Sequence, residues 1–283
     1  MQQSKKYISC LTIAGSDSGG GAGMQADIKT FSALGVYGAS AITAITAQNT
    51  CGVEEVFPIP SQGVKAQIEA VFNDMTIEAV KIGMLHSVEV VQVVIEMLER
   101  YHPPIVILDP VMVSTSGHRL IEENSIHLIA TQLFSRATVI TPNVDEAILL
   151  SGIPIQNQND LYTAGEILLQ KGCKAVLMKG GHLQGESMND ILFQAHLAPQ
   201  LFSSPKIDTR NTHGTGCTLS SAIAAFMALG HPLQEAVSLA KQYIQQALSE
   251  GANVYLGKGH GGVNHNFSPC KYVKVDRIQK TDF

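Results

Sequence analysis

Short apolar runs rich in β-branched residues alternate along the chain with longer stretches whose apolar positions recur every three or four residues. Residues 7–14, 40–47, 79–83, 105–109, 138–141 and 175–178 read as strands, with 191–193 and 201–207 as two further candidates. Residues 25–34, 62–73, 88–99, 125–133, 145–150 and 161–170 carry the helical period, and two more helices are predicted over 217–229 and 233–249. Strand–helix alternation implies βαβ units, hence an α/β fold with a mostly parallel sheet covered by helices on both faces. No proline-rich linker, low-complexity tract or repeat interrupts the pattern, so residues 1–283 read as a single domain. Ligands of such sheets bind beyond the carboxyl ends of the strands. The places to look are therefore 15–23, 48, 83–84, 109–111, 142–146 and 179–181.

Composition narrows the class without changing it. The 283 residues are 45% hydrophobic and 15% charged, as in an ordinary soluble globular protein. A net charge of −5 with no clustered basic face argues against a nucleic-acid partner. No apolar stretch approaches transmembrane length, so no membrane partner is expected. The first apolar run flows straight into a glycine loop and reads as a strand, not as a signal peptide. Five cysteines, at 10, 51, 173, 217 and 270, form no C-x-x-C pair. Without a disulfide framework or zinc spacing, a reducing cytoplasm is the expected setting.

Several strand ends carry candidate chemistry. "GSDSGGGAGMQADIKT" follows the first strand and opens a helix; Asp17 and Asp27 flank backbone that can approach a small ligand. Its Gly21-x-Gly23-x-x-Ala26 formally fits a dinucleotide fingerprint, but the second strand ends in Gln48-Asn49 without the ribose-binding acid. "ITPNVDEAILL" has two readings: Asn143 and Glu146 as a helix cap and its partner, or the same oxygens orienting waters on Mg²⁺. Asp109 precedes a proline at a strand end, Lys179 ends a strand before two glycines, and His213 reads as a loop histidine without a role.

"NTHGTGCTLSSAIAAFMALG" is the most specific stretch. Gly214-Thr215-Gly216 leads into a helix whose unpaired first N–H groups and partial positive charge make a ready anion site. Cys217 stands at that helix start, where the same field is expected to make a thiol acidic.

Together these segments resemble the ribokinase-like superfamily, and within it the hydroxymethylpyrimidine/phosphomethylpyrimidine kinases of thiamine biosynthesis. The resemblance runs from about residue 12 to 265 and rests on the order and spacing of "LTIAGSDSGGGAGMQADIKT", "KIGML", "LDPVM", "ITPNVDEA", "LMKGGH", "NTHGTGCTLSSAIAA" and "GHGGVNH". It implies a sheet of roughly eight strands, a homodimer, and ATP·Mg²⁺-dependent phosphorylation of 4-amino-5-hydroxymethyl-2-methylpyrimidine to the monophosphate and then the diphosphate. It further implies that Gly15, Ala22, Asp27, Gln48, Met84 and Val111 line the pyrimidine site. Asp109, Asn143 and Glu146 would serve Mg²⁺ through water, and Lys179 the ATP phosphates. Gly214, Thr215 and Gly216 would hold the transferred phosphoryl group, and Cys217 would take the hydroxyl proton. Sugar kinases of the superfamily often carry Asp at the Cys217 position. Two departures stand out: Thr115-Ser116-Gly117-His118 where the family often has Lys-Ser-Gly-Asp, and a terminal motif without its usual proline. A pyridoxal or pyridoxine kinase and a non-catalytic vitamin-binding module are the competing readings. Gln48, whose amide matches an aminopyrimidine edge, argues against the first. The presence of Cys217, Asn143 and Glu146 argues against the second.

Overall fold

The structure, a computed structural model, describes residues 5–112, 121–180 and 187–276. The loop at Thr115–His118 and the second glycine after Lys179 lie outside these residues. In chain order the elements are β1 Lys5–Tyr7, β2 Ser9–Asp17, α1 Gly23–Ala33, β3 Tyr37–Asn49, β4 Gly52–Pro58, α2 Ser61–Asp74, β5 Ala79–Ile82, α3 Val88–Tyr101, β6 Val106–Leu108 and α4 Glu123–Leu128. They continue as β7 Val139–Ile140, α5 Val144–Ser151, α6 Gln158–Gln170, β8 Ala175–Lys179, β9 Ser187–Gln194, β10 Gln200–Pro205, α7 Thr215–Ala228, α8 Leu233–Gly251 and β11 Lys274–Asp276.

Nine strands form one sheet in the order β10-β9-β8-β7-β6-β5-β2-β3-β4. The central strands β3, β2, β5, β6, β7 and β8 run parallel; β4 and β9 run against them, and β10, antiparallel to β9, runs with them again. The expected mostly parallel sheet is present with one strand more than the rough eight. The strand missing from the sequence reading is β4, "GVEEVFP". It is an edge strand, where glutamates and a terminal proline are tolerated and the apolar run is broken. The predicted helix over 125–133 also departs from expectation: α4 stops at Leu128 and continues as a π turn, Ile129–Leu133, and a 3₁₀ turn, Phe134–Arg136. A separate two-stranded pairing joins β1 to β11.

Strand alternation divides the core into two layers. Leu11, Ile13, Val80, Ile82 and Leu108 face α2, α3, α5 and α6. Cys10, Ala79, Ile107, Val139 and Leu177 face α1, α7 and α8. Because side chains switch faces at every residue, this period continues into the polar strand ends. Lys81, Asp109, Thr141 and Lys179 share parity with Ala79, Ile107, Val139 and Leu177, and all four therefore project toward α7. Register adds a stagger: Lys81 pairs with Ile107, so Asp109 stands two residues further out, and Ile107 pairs with Val139, which sets Asp109 level with Thr141.

Candidate active site

The opening stretch of the site is built by the start of α7. Gly214 is its N-cap with φ +80°, a left-handed conformation that suits glycine. A Cβ there would also lie 1.8 Å from the Gly21 carbonyl oxygen. The turn can therefore pack against the loop after β2 only because residue 214 has no side chain. Thr218 N bonds the Gly214 carbonyl at 2.9 Å, closing the first helical turn. Of the N–H groups ahead of it, which a helix cannot satisfy internally, that of Thr215 donates to the Thr212 carbonyl at 3.3 Å. Lys179 Nζ lies 3.2 Å from where a Cβ on Gly216 would sit, so the ammonium stands directly over this turn.

A cavity of about 650 Å³ runs along the strand ends, within the range of small-molecule sites. Gly15, Ala22, Gln48, Met84 and Val111 line one end; Asp109, Asn143, Glu146, Lys179 and Gly214–Cys217 line the middle. The other end is formed by residues 204 and 206–209 with α8, which the sequence reading did not single out. Asp27 is the exception among the expected residues, because it does not reach the cavity wall. It is fully buried on α1, where Lys81 Nζ stands 3.0 Å from Oδ1, Thr12 Oγ1 donates to Oδ2 at 2.6 Å, and Ser221 Oγ donates to Oδ1 at 2.5 Å. Helical spacing turned Asp27 inward toward the sheet, where its partner is a lysine the sequence reading passed over. The signal for Lys81 was its place inside the apolar strand "AVKIG", since a lysine is almost never fully buried unless paired.

Asp109 is also buried, with Lys179 Nζ at 2.8 Å and Thr141 Oγ1 at 3.0 Å from Oδ1, and Ser220 Oγ at 3.3 Å from Oδ2. Burial opposes its charge, but the ammonium groups of Lys179 and Lys81 hold its carboxyl below the usual range. Lys81 and Lys179 are held above the ordinary lysine value, against the effect of burial, with Asp27 and Asp109 respectively as the main cause. Burial pushes the Asp27 carboxyl up, while Lys81, Ser221 and Thr12 counter it; with three donors converging on the two oxygens, we take the pair as ionised.

Asn143 and Glu146 form a complete capping box. Asn143 Oδ1 accepts from Glu146 N at 2.9 Å, and Glu146 Oε2 accepts from Asn143 N at 2.8 Å. Glu146 is nevertheless pushed up to about 7, by burial above all and by the nearby Asp109, against Lys179 and the backbone amides of Asn143 and Met112. Among the described residues no three His, Cys, Asp or Glu side chains converge as a metal cage. What the middle of the cavity offers is Asp109, Asn143 and Glu146, a set of hard oxygens fitting a cation that keeps its own waters.

The thiol does not behave as its position suggested. Cys217 is partly open to the cavity, yet its pKa is pushed up to about 11. Burial is the largest cause and Lys81 opposes it; Asp27 and Asp109 add to the rise, and an N–H from Gly23 pulls back. Removal from water and two carboxylates therefore oppose the helix-start field at this thiol. His213, read as a loop residue without a role, sits instead between Asp17 and Gln48 at 2.8 and 3.2 Å.

A helix-start turn beneath a lysine, opening on a cavity at the strand ends of this sheet, is the arrangement expected of a small-molecule phosphotransferase of ribokinase-like build. A model of the phosphomethylpyrimidine kinase family matches residues 17–264, and the chain belongs to that family. The hydroxymethylpyrimidine/phosphomethylpyrimidine kinase of Salmonella typhimurium is 46% identical over 259 residues, which cover 91% of this chain and 97% of the relative. Phosphomethylpyrimidine kinase from Clostridium difficile superposes with a TM-score of 0.76 at 48% identity, over 85% of this chain and 99% of its own. An ADP complex of Bacillus subtilis pyridoxal kinase gives a TM-score of 0.85 at 35% identity, over 92% and 98% of the two chains. No helix among the described residues is long and apolar enough to cross a membrane.

Proposed function

We propose that this chain transfers the γ-phosphoryl group of ATP to 4-amino-5-hydroxymethyl-2-methylpyrimidine, and then phosphorylates the resulting monophosphate to the diphosphate, in thiamine diphosphate biosynthesis. The observation that carries the reading is one continuous cavity. Its wall carries the Gln48 amide, the Gly214–Cys217 turn with Lys179, and residues 204 and 206–209, the last being where the nucleotide would lie. The hydroxymethyl oxygen attacks the γ-phosphorus, the bond to ADP breaks, and the hydroxyl proton passes to the Cys217 sulfur, which takes it only in its thiolate form and becomes the neutral thiol. The turn's N–H groups and Lys179 hold the charge that spreads over the phosphoryl oxygens. Mg²⁺, held through water by Asp109, Asn143 and Glu146, would supply counter-charge to the phosphates and offset the Asp109 carboxylate that helps to raise the thiol.

The homodimer expected from the resemblance and the cytoplasmic setting expected from the cysteines belong to the same reading. Light scattering giving twice the chain mass supports it, and a monomer mass removes it. The activity is tested by ADP production with hydroxymethylpyrimidine, its monophosphate and pyridoxal as separate acceptors, with and without Mg²⁺. Turnover with both pyrimidines, exceeding that with pyridoxal and lost without the metal, is the expected result; turnover with pyridoxal alone would overturn the assignment.

A further inference from the structure

We propose that Thr46 and His213 lock the Gln48 carboxamide in one orientation, nitrogen toward Thr46 and oxygen toward His213. The site then accepts an amino-pyrimidine edge and rejects its oxo counterpart. The choice of substrate rests on the reading above; the lock itself stands on a proton inventory.

The Gln48 main chain is fixed first. Its N–H donates to Ser18 Oγ at 2.9 Å, and its carbonyl accepts from the same hydroxyl at 2.6 Å. The side chain swings from that anchor to lie between two groups. The end assigned as Oε1 stands 3.0 Å from Thr46 Oγ1, and the end assigned as Nε2 stands 3.2 Å from His213 Nε2. Oxygen and nitrogen of an amide are placed by their partners, and here the partners require the reverse order. Thr46 has one hydroxyl hydrogen. Its oxygen is 2.9 Å from the Ser16 carbonyl, which can only accept. With that hydrogen committed, Thr46 can only accept from Gln48, so the amide NH₂ belongs on its side.

The other side gives the same answer independently. His213 Nε2 is 2.8 Å from Asp17 Oδ2. Asp17 already accepts from the N–H groups of Gly19, Gly21 and Ala22 at 2.8–2.9 Å, and a carboxylate held by so many donors stays ionised. Its pKa is lowered although burial opposes this. An ionised carboxylate only accepts, so His213 Nε2 bears a hydrogen. That one hydrogen is held chiefly by Asp17 and leaves the nitrogen no lone pair, so the Gln48 group facing it must be an acceptor, its oxygen, which shares the hydrogen at longer range. The ring is kept in place by the loop after β2, where a Cβ on Gly21 would lie 2.4 Å from His213 Cδ2.

With both partners served, the amide retains one N–H and one carbonyl lone pair, in fixed order. A 4-aminopyrimidine presents a ring nitrogen that accepts beside an NH₂ that donates. A 4-oxo analogue presents a ring N–H beside an oxygen, the same pair reversed. A free amide turns over to suit either. A locked one cannot do so without setting donor against donor at His213 and giving up the bond it donates to Thr46.

The test combines two readouts on the full chain. In the ligand-free protein, ¹⁵N NMR of the histidine rings, with His213 assigned by its loss in His213→Asn, must show a protonated Nε2. A lone pair on that nitrogen overturns the lock whatever the ligand does. Calorimetric titration then compares 4-amino-5-hydroxymethyl-2-methylpyrimidine with its 4-oxo analogue. The parent is expected to favour the amino compound by about 100-fold or more, and Thr46→Val and His213→Asn each to cut that ratio by roughly tenfold. An unchanged ratio in both folded variants overturns the lock while leaving the pyrimidine assignment standing. Failure of the parent to bind either pyrimidine removes the substrate reading, and the His213 tautomer still decides the lock.

Discussion

Lys81–Asp27 and Lys179–Asp109 are two lysine–carboxylate pairs raised on the same face of one sheet, with closest contacts of 3.0 and 2.8 Å. The first is closed to solvent, with neither side chain exposed, although Lys81 forms part of the cavity wall and only Asp27 lies wholly behind it. The second borders the cavity, with Lys179 13% and Asp109 2% exposed. Chemistry is shared and access is not, and access decides what each pair can do. A sealed pair keeps its partners, and its charges largely cancel at a third group. Lys81 lowers the Cys217 pKa and Asp27 raises it, so the thiol gains little acidity from the ammonium beside it. The open pair has access to other partners: a cation near Asp109 would release Lys179 to an anion at the turn beneath it.

The comparison breaks most visibly at the sealed pair. Lys81→Met leaves a buried carboxylate without its cation and is expected to destabilise the fold by about 3–5 kcal/mol in urea denaturation, with the double variant Lys81→Met/Asp27→Asn regaining most of the loss. Full stability in the single variant would show that the pair is not sealed. At the open pair the effect moves from folding to catalysis. Lys179→Met is expected to cut turnover by about 10²–10³-fold, as for loss of one transition-state donor, with a smaller shift in unfolding midpoint than Lys81→Met. An unchanged rate would remove Lys179 from the phosphate site.

The compensated charges make a prediction for the thiol between them. With its pKa near 11, Cys217 is alkylated by iodoacetamide at neutral pH about tenfold more slowly than an unperturbed thiol, the lost thiolate fraction being partly offset by higher nucleophilicity. Faster alkylation would restore the helix-start field as the dominant effect. The smallest effect is at the capping box: Asn143→Ala costs about 1 kcal/mol of stability and raises the Mg²⁺ concentration for half-maximal turnover. A stability loss with an unmoved Mg²⁺ titration would leave Asn143 as a cap alone.

Sequence periodicity located the sheet, its two helical layers and most of the cavity, because strand ends in a parallel sheet are where backbone geometry forces a crevice. Gln48, Asp109, Lys179 and the Gly214–Cys217 turn were legible for that reason. Asp27 was placed on the wrong side of its helix wall, since loop proximity says nothing of which way a helical side chain turns. Lys81 and the Asp17–His213 contact went unread because each takes its meaning from a partner far along the chain, 54 and 196 residues away. The groups that oppose the acidity of Cys217 went unread for a related reason. A helix start is local, whereas burial and the charges of Asp27 and Asp109 come from other elements.

The central claim is that Cys217 takes the substrate's proton while other residues bind the substrate. Its most direct test sets kcat of Cys217→Ala, measured with saturating ATP·Mg²⁺ and hydroxymethylpyrimidine, against a calorimetric Kd for the pyrimidine. The account predicts a kcat lower by roughly 10²–10⁴-fold, the usual worth of a positioned general base, with Kd within a few-fold of the parent. A kcat within a few-fold of the parent would contradict it, leaving the turn's N–H groups and Lys179 to carry the transfer without a protein base.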